Sequence, residues 1–542
     1  MKLKYTIVLV ALVTLPFSCK DINSGEKLNP LQPANQDETA GGWKPIILTN
    51  YATQLPLPAP AATNSASYVA EMDVIKKAQS KLTDAQRNTI NYWSVGGVLR
   101  WNQVVRKLVA QYNLPPAPRG DGSYIFPDAE NPFADPQFPF ANPPYAARAY
   151  SYVSVAQYDA LKAAWYYKYL YNRPAPYTVD SGVKALGPTS DLPAYPSEDA
   201  VLSGVTAEML KVLFPTAVEE ITLLAADQRN AALWSGKATD SDISAGLALG
   251  KAVATIFTAN STGVFTIPGA SGASTTTLSV NIATRGRFRT DGIGAAIGNA
   301  TQWQALADGA VAKGEIPWIS QDLPVRPPML PNFGKVVAWN MSAGQIVSER
   351  PGPPPSTSSE EMKTQLQEVK KYSENATREE LAIVYKWADG AGTYAPPGHW
   401  NDIAAEYISN ARWSEVRMAR AFALLNMALH DAAVGCWETK YFYFNPRPSQ
   451  LDPSIKVKTG LPNFPAYTSG HSTFSASAAA VLSYLFPNDA QFFNDQAKEA
   501  SLSRLYGAIH YRADIEVGLA HGSRIGSYTV NFAKDPQKDG GD

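Results

Sequence analysis

The sequence predicts an all-α protein built from two helical bundles related by internal duplication, with the active site in the C-terminal bundle. Three observations predict it. Two long stretches repeat each other at one fixed spacing, with Arg148 matching Arg420 (420 − 148 = 272). In both stretches apolar residues recur every three or four positions, as a one-sided helix requires. All five histidines, at 399, 430, 471, 510 and 521, fall in the last 144 residues.

The chain of 542 residues is too long for one small core, so two or more packed units are expected. Its 47 basic and 48 acidic residues nearly cancel, which argues against a nucleic-acid partner or an anionic membrane surface. The 12 Trp and 27 Tyr fit helix packing, with carbohydrate binding as a second reading. Lys2 and Lys4 precede a mostly apolar run over residues 6–17, and Leu15-Pro16-Phe17-Ser18-Cys19 resembles a bacterial lipobox. Residues 1–19 are therefore read as a lipoprotein signal peptide with Cys19 lipidated, an uncleaved anchor or plain signal peptide being the alternative. That places the protein in the cell envelope of a Gram-negative bacterium, lipid-anchored on the periplasmic side or the outer-membrane surface. Cys436 is the only other cysteine, so acylation of Cys19 leaves it without a disulfide partner. Residues 20–42 are polar and read as a flexible tether. No later stretch reaches the roughly 18 apolar residues of a membrane span, which predicts a soluble body.

The N-terminal half, residues 43–350, holds the degenerate bundle, and residues 351–542 the catalytic one. The Pro/Ser-rich residues 351–359 read as a loop between them. Asp159 matches Asp431, Trp165 matches Trp437 and Lys168 matches Lys440, and the register holds through Ser197/Ser469, Asp242/Asp514 and Gly246/Gly518. Helices are predicted over residues 472–485, 497–513 and 515–532, and residues 275–282 are the best candidate for a short strand or extended loop. The halves differ in chemistry. His471 faces Asp199, Arg447 faces Ala175, Arg504 faces Ala232 and His510 faces Ala238.

Three motifs of the second half suit one tetrahedral oxyanion: Lys440 with Arg447-Pro448; Ser469-Gly470-His471 opening a helix; and Ser503-Arg504, His510 and Asp514. Taken singly, each has an ordinary reading. A Lys or Arg is usually a solvated charge, Ser469 a helix cap, His510 a satisfied core residue. Together they supply what an oxyanion needs. Two guanidinium forks and an ammonium neutralise it. The Ser469 hydroxyl and Gly470 amide sit at a helix start, where free N–H groups favour anions. His510 and Asp514, four apart, are expected to share a helix face, the carboxylate fixing the ring tautomer and freeing the other nitrogen as nucleophile or ligand. His471 is the second proton-handling group, expected to work near neutral pH.

These residues resemble the superfamily of type-2 phosphatidic acid phosphatases and vanadium-dependent haloperoxidases, whose signature is K-x6-RP, PSGH and SR-x5-H-x3-D. Thr468 departs from it, standing where the family has Pro. The chain length, the second unequipped bundle and the missing membrane spans resemble the haloperoxidase branch. So does Phe464-Pro465-Ala466-Tyr467 before the SGH. The resemblance implies a halide pocket at Trp437 and Phe464, with core packing as the alternative, and makes Asp389 the carboxylate that supports the second arginine. It also implies vanadate bonded to His510, its oxygens held by Lys440, Arg447, Ser469, Gly470 and Arg504. His471 would act as acid–base while Lys440 polarises hydrogen peroxide, and a halide would leave as hypohalous acid.

Two rivals stay open. A soluble acid phosphatase would use the same residues on phosphate monoesters, through a phospho-His510 intermediate and without vanadate. A non-enzymatic glycan-binding lipoprotein fits the length and lipobox but gives no reason for the motif spacings. Of the other histidines, His430 and His521 read as structural, His399 is undecided, and Cys436 reads as a small buried residue.

Overall fold

The computed structural model describes residues 28–115, 117–124, 142–258, 263–268, 275–280, 291–292, 296 and 300–541. The lipobox and Cys19 lie outside them. Helix α1 spans Gly97–Tyr112. The first bundle then comprises α2 (Pro143–Tyr171), α3 (Glu198–Leu213), α4 (Val218–Trp234) and α5 (Asp240–Thr258). After the connecting segment, α6 spans Ala395–Asn410, followed by α7 (Glu415–Tyr443), α8 (Gly470–Leu485), α9 (Ala490–Tyr506) and α10 (Arg512–Lys534). Helices α7 to α10 each begin 272 residues after α2 to α5 (415 − 143, 470 − 198, 490 − 218 and 512 − 240), the same spacing as the sequence match. Among the described residues the exception to helix is an antiparallel hairpin, β1 (Gly263–Pro268) against β2 (Thr275–Val280), where the extended segment was expected. No helix among the described residues is long and apolar enough to cross a membrane.

Local chemistry explains the element starts. Asn142, Ser197, Ser414 and Ser469 cap α2, α3, α7 and α8 through side-chain oxygens that accept N–H bonds from the first turn. Helix α10 packs against α8, and α5 against α3. The α8–α10 seam needs glycine, because a Cβ at Gly522 would collide with the Thr473 carbonyl and one at Gly518 would sit 2.8 Å from Ser472 Cβ. The long helices α2 and α7 pack on each other at the centre. One apolar core runs through both halves and includes the fully buried Trp101, Trp165, Trp400 and Trp437.

Each central helix also anchors the segment preceding its bundle. Asp159 accepts from Ile46, Ile47 and Leu48 N–H at 2.7, 2.8 and 2.9 Å. Asp431 accepts from Trp339 and Asn340 N–H at 2.6 and 2.8 Å.

Two expectations need correction. The tether was read as reaching residue 42, yet residues from Leu31 onward are packed. Leu31 N–H donates to Ser94 O and Ala34 N–H to Arg412 O, both at 2.8 Å, and Asp37 pairs with Arg417 at 2.6 Å. The small Ala40 and Gly41 allow this segment to lie against α2, where a Cβ on Gly41 would sit 2.6 Å from Tyr166 Cα. The helix expected over residues 497–513 ends at Tyr506, because Ala508 turns the backbone into the left-handed region (φ 59°).

Candidate active site

The break between α9 and α10 positions the site. His510 lies in the turn before α10, and Asp514 sits in that helix's first turn. The two therefore do not share a helix face. The carboxylate instead reaches back across the helix start, Oδ2 accepting from Tyr511 N–H at 3.0 Å and from His510 Nδ1 at 2.8 Å. That fixes the proton on Nδ1 and leaves the lone pair on Nε2, which lies 2.9 Å from Arg447 Nη1. Burial, then the charges of Arg447, Lys440 and Arg504, hold His510 well below the usual histidine range, so its ring is neutral. Burial pushes Asp514 up to about 7, against the Tyr511 hydrogen bond and the charges of Lys440 and Arg447.

Three cations surround this ring. Lys440, in the last turn of α7, donates to Pro465 O and Ala466 O at 2.9 and 2.8 Å. Arg447 donates Nε to Phe464 O at 3.1 Å and Nη1 to Ile509 O at 2.9 Å, while its buried Nη2 has no partner. Arg504, at the end of α9, donates Nε to Ser503 Oγ at 2.8 Å and Nη2 to Val384 O at 3.3 Å. Among the described residues no carboxylate forms an ion pair with any of the three. Burial accordingly pulls Arg447 and Arg504 down to about 10 and Lys440 down to about 7. A cluster of desolvated cations with carbonyls as partners is a standing demand for an anion.

Ser469 and Gly470 complete the cluster at the start of α8. Ser469 Oγ caps the helix, and its own N–H is taken by Asp514 O at 2.9 Å. Gly470 faces open space, a Cβ there meeting nothing closer than Phe474 at 3.8 Å. Gly470, His471, Arg504 and His510 line one cavity of about 720 Å³, together with Trp437, Phe464 and Phe474. Trp437 and Phe464 pack at 4.9 Å between ring centres, and Lys440 and Arg447 lie 5.0 and 5.1 Å from the Phe464 ring. Phe474 was not singled out from the sequence, although its place one turn after His471 puts it on the same face of α8. The clustered cations and imidazoles belong to the second half, but Asn113, Tyr124 and Asn142 of the first half also line the cavity.

Two further expectations are refined. His471 was expected to work near neutral pH. Burial and then Arg504 pull it down to about 4, with Asp389 opposing, so it enters neutral pH as a free base. Asp389 was expected to support Arg504, and its charge does favour that guanidinium, but its close partners are histidines. His399 Nδ1 lies 3.0 Å from Oδ1, and His471 Nε2 lies 3.5 Å from Oδ2, longer than a formed hydrogen bond. Burial opposes ionisation of Asp389, yet His399 and His471 hold it well below the usual carboxylate range. His430 and His521 are fully buried outside the cavity, and Cys436 is a buried free thiol.

The corresponding place in the first half is filled by the protein itself. Lys168 pairs with Glu198 at 2.8 Å, and Lys237 with Glu198 and Asp199 at 3.1 and 2.7 Å. Carboxylates on α3 thus stand beside Lys168 and Lys237, at the positions that match Gly470 and His471 of the second half.

Residues 420–537 match the PAP2 superfamily. A bacterial vanadium-dependent iodoperoxidase has a similar fold, at 22% identity and a TM-score of 0.53, with 80% of this chain and 96% of the iodoperoxidase covered. Apo and holo structures of a bacterial vanadium-dependent chloroperoxidase align at 14% identity, over 72% and 76% of this chain and 94% and 96% of theirs, with TM-scores of 0.47 and 0.46. No curated protein matches the sequence. Residues 420–537 thus match the PAP2 superfamily, and the largely helical fold around them is similar to that of the iodoperoxidase.

Proposed function

We propose that this protein is a vanadate-dependent haloperoxidase that oxidises halide with hydrogen peroxide. The observation that carries the proposal is the meeting, in one cavity, of Gly470, His471, Arg504 and His510 with the aromatic wall of Trp437, Phe464 and Phe474, Lys440 and Arg447 lying behind the Phe464 ring. The likeness to an iodoperoxidase over most of both chains supports it.

The residues suit vanadate. Arg447 Nη2 is buried without a partner, Gly470 leaves room for an oxygen, and His510 presents a neutral nitrogen with its lone pair directed at the cluster. Lys440, Arg447, Arg504, Ser469 and Gly470 would hold the oxygens and His510 the metal. When bound, vanadate supplies a Lewis acid toward peroxide that need not change oxidation state.

The protein's own tasks follow from the geometry. Asp514 keeps His510 in one tautomer. Lys440 places a positive charge beside the reacting oxygens. His471, neutral at pH 7, accepts a proton from peroxide and returns one to the departing oxygen. The aromatic wall narrows the water space beside the cations, where a halide is attracted. Lipidation of Cys19 and an envelope location belong to the same proposal and rest on the lipobox. A Cys19→Ser variant is expected to lose membrane association.

The phosphatase reading is favoured by one observation, the PAP2 match over residues 420–537. In it His510 Nε2 attacks phosphorus, and His471 would first have to gain a proton to give one to the leaving alcohol. The test assays purified protein with added vanadate for peroxide-dependent halogenation, and the apo protein on a phosphate monoester. Halogenation is expected. Phosphate release without halogenation would replace this proposal with the second reading. Glycan binding that survives loss of His471 and His510, with neither activity, would replace both.

A further inference from the structure

The wall between two cavities is built from an imidazole, a carboxylate and a second imidazole. Asp389 and His471 line the active-site cavity but not its neighbour. His399 lines the neighbour, a cavity of about 750 Å³ between α1 and α6 that also takes in Arg106, Tyr394, Asp402 and Glu406. His399 Nδ1 stands 3.0 Å from Asp389 Oδ1, and His471 Nε2 stands 3.5 Å from Oδ2. One carboxylate therefore faces a histidine of each cavity with a different oxygen.

We propose that His399 is a positioning residue for His471, holding Asp389 by one oxygen so that the other faces the active-site imidazole. This rests on the reading of His471 as the proton-handling group of the oxyanion site.

The arrangement around His399 supports the role. Its ring stacks on Trp387 with centres 4.1 Å apart and planes at 19°, and Tyr394 packs edge-on at 5.9 Å. The ring is thus held with Nδ1 aimed at Asp389. The charged groups around it lie on several elements. Glu499, bonded to Lys386 and to Trp387 Nε1, lies behind the stacked ring. Arg106 and Asp402 pair in the second cavity, where Tyr394 also donates to Asp402 at 3.2 Å. On the far side His471 faces Arg504 and Asp389.

Two variants separate the donor from the charge. In His399→Asn the amide can still donate to Asp389 but carries no charge; in His399→Leu both are lost. The readout is the ring-nitrogen NMR titration of His471 in the vanadate-free protein, beside the pH profile of kcat. His471 is expected to titrate at a higher pH in both variants, because a neighbouring cation is gone. Turnover is expected to fall about tenfold or more in His399→Leu with KM little changed, and to be largely retained in His399→Asn. A His471 titration identical in all three proteins would overturn the inference, whether or not the leucine variant is stable, since the asparagine variant reads the same quantity. If the wild type halogenates nothing and hydrolyses no phosphate ester, the functional reading fails, and the NMR comparison still decides the role of His399.

Discussion

His510 Nδ1 donates to Asp514 Oδ2 at 2.8 Å across the start of a helix, not along its face. This relationship makes one imidazole nitrogen a committed donor and turns the other toward the cation cluster. An Asp514→Asn variant can keep the helix cap, because its amide oxygen can still accept from Tyr511 N–H. It no longer enforces the tautomer of His510. Affinity for a tetrahedral oxyanion such as tungstate is expected to drop about 10–100-fold with the far-UV CD spectrum unchanged. Calorimetric titration measures it, and an unchanged affinity would remove Asp514 from the account.

Arg447 is held by acceptors at two carbonyls and by His510. Arg447→Lys keeps the charge but cannot reach all of them. It is expected to weaken oxyanion binding at least about tenfold and to lower stability by about 2 kcal/mol, since buried carbonyls lose their donor. Denaturant unfolding beside oxyanion titration tests both effects. A variant as stable and as tight as wild type would show that Arg447 is a dispensable neighbour.

Much of this site was legible in the sequence because its chemistry is unusual: a buried Lys, two buried Arg and a His–Asp pair are hard to satisfy unless they share an anion. The parts that escaped notice depend on backbone direction. The break at Ala508 has no signal in an alanine, a residue that rarely adopts positive φ, so a continuous helix was the natural reading. The role of His399 was hidden for a similar reason. Its partner Asp389 lies ten residues earlier in a loop with φ 45°, and only the fold shows which way that loop turns. The polar composition before residue 43 suggested a tether, but Asp37 is held by Arg417, a partner 380 residues away. Asn113, Tyr124 and Asn142 reach the cavity through packing of the two halves, which no local pattern records.

The pH dependence of anion binding follows from Lys440. Burial pulls it down to about 7, and an anion beside it favours the charged form. Below that value the ammonium is already present; above it, binding must recruit a proton. Asp514, pushed up to about 7, acts in the same direction, because a bound anion favours its neutral form. Affinity for sulfate, which does not titrate in this range, is expected to fall as pH rises through neutrality, by about tenfold per pH unit for each proton recruited. Calorimetry in two buffers of different ionisation enthalpy reads the proton uptake directly. Lys440→Met is expected to reduce the uptake without abolishing it. Affinity that is flat or rising between pH 6 and 9 would contradict the assignment.

The two anchoring carboxylates make a stability prediction outside the site. Asp159→Ala leaves three backbone N–H groups without their acceptor and is expected to destabilise the protein by about 3 kcal/mol or more. Asp431→Ala leaves two and is expected to cost about 2 kcal/mol or more. Urea unfolding compares them, and a loss below about 1 kcal/mol in either would show that the anchored segments find other partners.

The most direct test of the whole account is equilibrium titration of vanadate into the apo protein, with His510→Ala alongside. One equivalent should bind to the wild type, and that binding should weaken by orders of magnitude without the imidazole. Failure to bind, or equal binding by both proteins, would mean that the buried cations of the second half do not form an oxyanion site centred on His510.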